Sequence, residues 1–370
     1  MWGFKPIRHL SATKLDANTE NARQYQPILD ERPENEKELV EGEEPYFSQG
    51  RDRRLGSFAS NTAKLTLLAI CAILICWIVQ PLVLPQHCEN GKTPTVRREW
   101  RSLALERRKN YISALECLVN KPSKLQPDHL SASRFYDFAW THAHTGSVAH
   151  ESAAFLSWHR WLVQLFENTL RDECGYSDPL PYWDWTKDWK HIEQAPVFSI
   201  ENGFGGNGDP NRGWCLHEGP FAGAKLPFEN SSLCLSRKFA QGTTFNASHL
   251  SSRYVSVTLS KKTYADFLLA MEDGPHDDIP QGVRGTFMSF YAPADPLFFL
   301  HHAQLDRIWW MWQRKSAANA RAYERIPGKH GIKAALGSLT DVLPFAGLGD
   351  NVVVEEIMNT EKGRLCYRYG

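Results

Sequence analysis

The sequence predicts a mainly helical domain with long loops, preceded by a single membrane-crossing helix and a disordered tail. Three observations carry this. Residues Asp30 to Glu44 hold eight acids against Arg32 and Lys37, with few large apolar side chains. Leu65 to Leu84 contains no charged residue in twenty positions. Beyond it, apolar residues recur at helical spacing on both sides of a segment, residues 200–235, rich in Gly, Pro and Asn.

The acidic run cannot bury enough surface to offset the entropy of ordering it, so residues 1–62 are expected to form a disordered tail. The apolar run is long enough to cross a bilayer as a helix, which sets a signal-anchor over residues 63–84. A cleaved signal peptide fits poorly, because about sixty residues precede the run and no A-x-A site flanks it. Basic residues stand on both sides of the span: Arg51, Arg53, Arg54 and Lys64 before it, Lys92, Arg97, Arg98 and Arg101 after it. The positive-inside rule therefore gives no orientation. Six cysteines and two Asn-x-Ser sequons, at Asn230 and Asn246, all follow the span. Together they favour a type II protein whose residues 85–370 face an oxidising lumen or the exterior. Six cysteines allow fifteen pairings, of which Cys88 with Cys117 and Cys215 with Cys234 are the pairs nearest in sequence.

Within residues 85–370, Glu99–Leu118, Trp158–Leu170 and His301–Gln313 read as helices. In the first, Trp100, Leu103, Ala104, Arg107, Tyr111 and Leu115 fall near one stripe. In the second, His159, Leu162, Val163, Phe166 and Leu170 do so. The 370 residues carry 42 Lys plus Arg against 42 Asp plus Glu, a balance that argues against a general nucleic-acid binder.

Fourteen histidines and 13 tryptophans point elsewhere. Seven histidines form two groups, His142, His144, His150 and His159, then His276, His301 and His302. Nine residues turn a straight helix through about 900°, which puts His150 and His159 on opposite sides. They can meet at one metal only if His150 lies before a helix and His159 within it. His302 and Asp306 are four apart, on one helical face, so the carboxylate is placed to orient the imidazole. Imidazoles without thiolates or a carboxylate cluster suit copper, zinc or non-haem iron, and an all-histidine set leans toward copper. Zinc hydrolysis is the alternative, but no H-E-x-x-H occurs.

The stretches His150-ESAAFLSW-His159-RW, PYWDW from Pro181 to Trp185, and DPLFFLHHAQLDRIWW from Asp295 to Trp310 resemble the type 3 copper proteins: tyrosinases, catechol oxidases and molluscan-type haemocyanins. The closing Tyr367-Arg-Tyr369-Gly370 is similar to that family's Y-x-Y-G ending, and the chain from Cys88 onward resembles short fungal tyrosinase-like oxidases. The resemblance implies a four-helix-bundle core holding two copper ions. It places the first on His142, His150 and His159, with His142 preferred to His144, and the second on His276 and His302, with His301 packed behind them. Family members carry a further ligand four residues after His276, where this chain has Pro280. His249 or His301 are the candidates for the missing nitrogen. Val148 stands where some members have a thioether cysteine, and Asp277 where many have Asn, so monophenol hydroxylation and diphenol oxidation both stay open. No catalytic side chain beyond the ligands is implied. Trp158, Trp183 and Trp185 read as helix packing rather than a substrate platform. The implied activity is O2-dependent oxidation of a phenolic small molecule or tyrosine-containing peptide to an ortho-diphenol or quinone, in fungal specialised metabolism. The competing readings are a single-copper or copper-free binding partner and an O2 carrier.

Overall fold

The computed structural model describes Cys88 and residues 93–129, 132–228, 234–240, 247–326 and 337–370, within one compact unit, Val79–Gly370. The expected tail over 1–62, the span over 63–84, Asn230 and Asn246 lie outside the described residues. Among the described residues no helix is long and apolar enough to cross a membrane.

The domain is helical, with strands of two or three residues. Helix α1 spans Leu105–Val119, α2 Arg134–Ala149 and α3 Phe155–Cys174. After a long irregular segment come α4 (Ser252–Leu259), α5 (Tyr264–Met271), α6 (Asp277–Val283), α7 (Leu297–Gln313) and the single turn α8 (Ala317–Ala320). Strand β1 (Thr95–Arg97) pairs in parallel with the final strand β4 (Tyr367–Tyr369), while β2 (Val342–Leu343) and β3 (Val352–Val353) form a small antiparallel pair.

Helix α3 is the axis, packed against α1, α2 and α7. Its Trp158, Leu162, Val163, Phe166 and Leu170 are all fully buried, at roughly 1.5–3 kcal/mol for each large apolar side chain. It runs a turn longer at its C-terminus than the apolar spacing marks and stops at Gly175, whose φ of 68° lets its N–H reach the Arg171 carbonyl while the Tyr176 N–H reaches that of Leu170. The first predicted helix is shorter than expected. Glu99 caps a separate turn at Trp100–Ser102, and the Trp100 N–H is taken by the Tyr182 carbonyl, so α1 starts only at Leu105.

The disulfides correct one pairing. Cys215 joins Cys234 as sequence proximity indicates, but Cys88 joins Cys366 and Cys117 joins Cys174. The reason is packing. Packing of α1 against α3 brings together Cys117 and Cys174, each near the C-terminus of its helix and 57 residues apart, and the β1–β4 pairing brings the two ends of the domain together. Trp158, Trp183 and Trp185 are fully buried, Trp158 donating to the Pro344 carbonyl at 3.0 Å and Trp183 to Asp188 at 2.8 Å. They serve packing.

Candidate metal centre

His142 lies on α2, His150 caps that helix's C-terminus, and His159 sits one turn into α3. This is the loop-and-helix arrangement that a nine-residue separation demands. One ring nitrogen from each lies within 4.8 Å of the others, and among the described residues this is the only such group of three or more. His144, two residues from His142, faces away: it is exposed and stacks on Trp140 at 4.0 Å.

The three rings are held in one protonation state. Nδ1 of His142 lies 2.6 Å from the Phe290 carbonyl, that of His150 2.8 Å from Gly146, and that of His159 2.7 Å from Phe155. A carbonyl can only accept, so each Nδ1 carries the proton and each Nε2 keeps its lone pair. Burial, aided by the neighbouring imidazoles, pushes the His142 pKa down to about 4 and those of His150 and His159 well below the usual histidine value. The rings are neutral donors at physiological pH. Three neutral Nε2 atoms, each oriented through its other nitrogen, fit copper.

The second group adjoins the first. His302 on α7 stacks on His159, ring centroids 4.2 Å apart, and His276 lies 5.6 Å from His150. His276 is aimed by a break in the helix: between Glu272 and His276 the backbone opens into a π-type turn, Gly274 takes non-helical angles, and Pro275 contributes no N–H. A Cβ at Gly274 would meet the Tyr254 hydroxyl at 2.8 Å. His276 Nδ1 meets the Asp277 carboxylate at 3.0 Å. The cavity these groups enclose, about 310 Å³, is lined by His142, His150, His276, His301, His302 and Pro280. Its lip carries the exposed side chains of Met288 and Phe290.

Two expectations meet different outcomes. Asp306 does not orient His302, because its oxygens are taken by Arg160 and by the hydroxyls of Tyr367 and Tyr369, each at 2.5 Å. The His302 Nδ1 has no hydrogen-bond partner. His249 is turned to Asp278, 3.1 Å away, and does not line the cavity. His301 is fully buried, and neither of its ring nitrogens has a hydrogen-bond partner. Sequence reasoning missed Glu272, which is buried and accepts the N–H of Glu151 at 2.7 Å, fixing the loop that carries His150. No local spacing signals this contact, which joins residues 121 apart across a break in the helix. The three carbonyls that orient the first triad have no signature in side-chain identity.

Comparison with known proteins agrees with this geometry. The sequence profile of the common central domain of tyrosinase matches residues 132–315. The chain is 39% identical over 339 residues to the tyrosinase-like protein phomQ1 of Diaporthe leptostromiformis, covering 82% of this chain and 85% of that one. It is 38% identical to the tyrosinase ustQ of Aspergillus flavus over 75% of this chain and 80% of the relative. A polyphenol oxidase of Thermothelomyces thermophila superposes with a TM-score of 0.65 at 25% identity, over 84% of this chain and 96% of that one.

Proposed function

Because the chain belongs to the tyrosinase family, we propose that it is a copper-dependent oxidase that uses O2 to convert a phenol, as a small molecule or a tyrosine side chain in a peptide, to an ortho-diphenol or quinone. The observation that carries this is the triad of His142, His150 and His159, buried, neutral and aimed through Nε2. Copper bound there supplies the redox couple between the phenol and O2. The protein's own part is positional. Backbone carbonyls hold the three imidazoles in one tautomer, so no ring must turn or lose a proton before it can donate. Buried Phe287 and Phe298 line the cavity, and the exposed Phe290 and Met288 its mouth, an apolar approach suited to an aromatic ring. For the diphenol step the balance is simple: two diphenols give up four electrons and four protons, and one O2 takes them to become two waters.

A place in fungal specialised metabolism belongs to the same reading, and its support is the chain's similarity to tyrosinase-like proteins of two fungi, Diaporthe leptostromiformis and Aspergillus flavus. For location, the reading is a type II protein anchored by Leu65–Leu84 with residues 85–370 lumenal or extracellular. Its support is that all six cysteines beyond the anchor pair as disulfides, which form and persist in oxidising compartments. Glycosidase treatment and protease protection of microsomes test that placement; an unglycosylated domain open to cytosolic protease would overturn it.

The activity is tested by oxygen uptake and quinone absorbance of the copper-loaded full chain with a catechol, a monophenol and a tyrosine-containing peptide. Turnover of at least one is expected, with loss of more than about a hundredfold in His159→Ala, which removes a metal donor. A copper-replete chain that turns over none of them sinks the proposal.

A further inference from the structure

We propose that this chain holds its two copper ions unequally, one tightly on His142, His150 and His159 and a second loosely on His276 and His302 alone. The inference rests on the copper reading above. The first position has three converging nitrogens. The second does not: no third His, Cys, Asp or Glu among the described residues converges with His276 and His302 within the same distance.

The fold shows where the third donor is lacking. His276 stands at the N-terminus of α6 and Pro280 lies four residues on, so the two share one helical face. Both line the cavity. The position from which α6 could deliver an imidazole beside His276 is therefore filled by a side chain with no donor atom. The neighbours do not compensate. Asp277 is half-exposed and spends its carboxylate on His276 Nδ1. His249 is turned to Asp278. His301 comes nearest, its ring 5.2 Å from that of His302 and 6.1 Å from that of His276, yet its nitrogens do not converge with theirs. Loss of a group that merely orients a metal ligand weakens metal binding about 10–100-fold, and loss of a ligand itself weakens it at least as much.

Replacing Pro280 by histidine is structurally mild. The Arg284 N–H bonds the residue-280 carbonyl at 2.7 Å, a backbone contact any residue retains, and the new N–H can serve the carbonyl of His276. The experiment loads the full chain with excess copper, dialyses it against a competing chelator, and reads copper per folded chain by elemental analysis and by electron paramagnetic resonance. We expect one copper per wild-type chain with the signal of an isolated Cu(II), and two in Pro280→His, whose bridged Cu(II) pair is silent. His276→Ala should leave the wild-type retention at one, a test that stands even where Pro280→His fails to fold. Two coppers retained by the wild type overturn the inference; if His301→Phe then lowers them to one, His301 is the sixth donor. A folded Pro280→His that retains one, or a His276→Ala that retains none, overturns it as well. A folded wild type that binds no copper at any concentration instead removes the copper reading on which the inference rests.

Discussion

Asp306 takes three charge-assisted hydrogen bonds in a place where water does not reach. The side chain is buried, Arg160 donates through Nε, and the Tyr367 and Tyr369 hydroxyls share the other oxygen, with Arg97 at 3.7 Å. Both guanidiniums are fully buried. Arg97 also holds Glu167, and Arg160 also reaches the carbonyls of Ile357 and Met358 and the side chain of Gln313. An ion cluster of this kind is costly to desolvate, and removing one member leaves the others uncompensated. Asp306→Ala should therefore lower the unfolding free energy by about 3–5 kcal/mol in denaturant titration, with Asp306→Asn intermediate. Copper retained per folded chain should not change, because Asp306 touches no imidazole. A stability loss below about 1 kcal/mol, the scale of an exposed ion pair, would contradict the assignment.

At the level of elements, the first metal position depends on the turn between α2 and α3 as much as on the helices. Glu151 sits there at φ 53°, a left-handed conformation that costs a side-chain-bearing residue of order 1 kcal/mol or more. The Glu272 carboxylate, from the end of α5, holds its N–H. Glu272→Ala should release the turn and let His150 drift, weakening copper binding about 10–100-fold in a chelator competition while the global melt changes little. Unchanged affinity would show that the helices alone fix the triad. The helices were legible in the sequence because His159, Leu162 and Phe166 repeat at the period of a buried face, and the split of His150 and His159 between turn and helix followed from rotation alone. The partner of Asp306 was not legible. Spacing within α7 allowed His302, but Arg160, Tyr367 and Tyr369, which arrive from 61 to 146 residues away, compete for the same oxygens and win because they bring charge and two hydroxyls. Cys117 paired with Cys174 for the same reason: helix packing, invisible to sequence proximity, chose the partner.

Across the whole molecule, the two ends of the domain are tied to each other. Thr95 stands opposite Tyr367 in the β1–β4 pair, Cys88 is bonded to Cys366 across 278 residues, and the tyrosines of β4 reach inward to Asp306. Closing so long a loop removes much of the unfolded chain's freedom, so Cys366→Ser should cost roughly 2–5 kcal/mol. Buried tyrosines set the alkaline limit. Burial pushes the Tyr136 hydroxyl up to about 12 and raises Tyr111, Tyr264, Tyr367 and Tyr369 as well. For a phenol, a raised pKa means that the folded chain keeps its proton where the unfolded chain loses it. Above the unfolded value of about 10 the folded state binds more protons, so stability falls as pH rises through the window up to about 12, and it is unaffected below that window. Tyr367 and Tyr369 sharpen the effect, because their phenolates could not donate to Asp306. The expected result is one cooperative alkaline transition in which near-ultraviolet phenolate absorbance and loss of helical circular dichroism coincide, shifted to lower pH in Cys366→Ser. Phenolate absorbance that rises gradually from the ordinary tyrosine value, ahead of any loss of helix, would mean that these hydroxyls reach water in the folded protein.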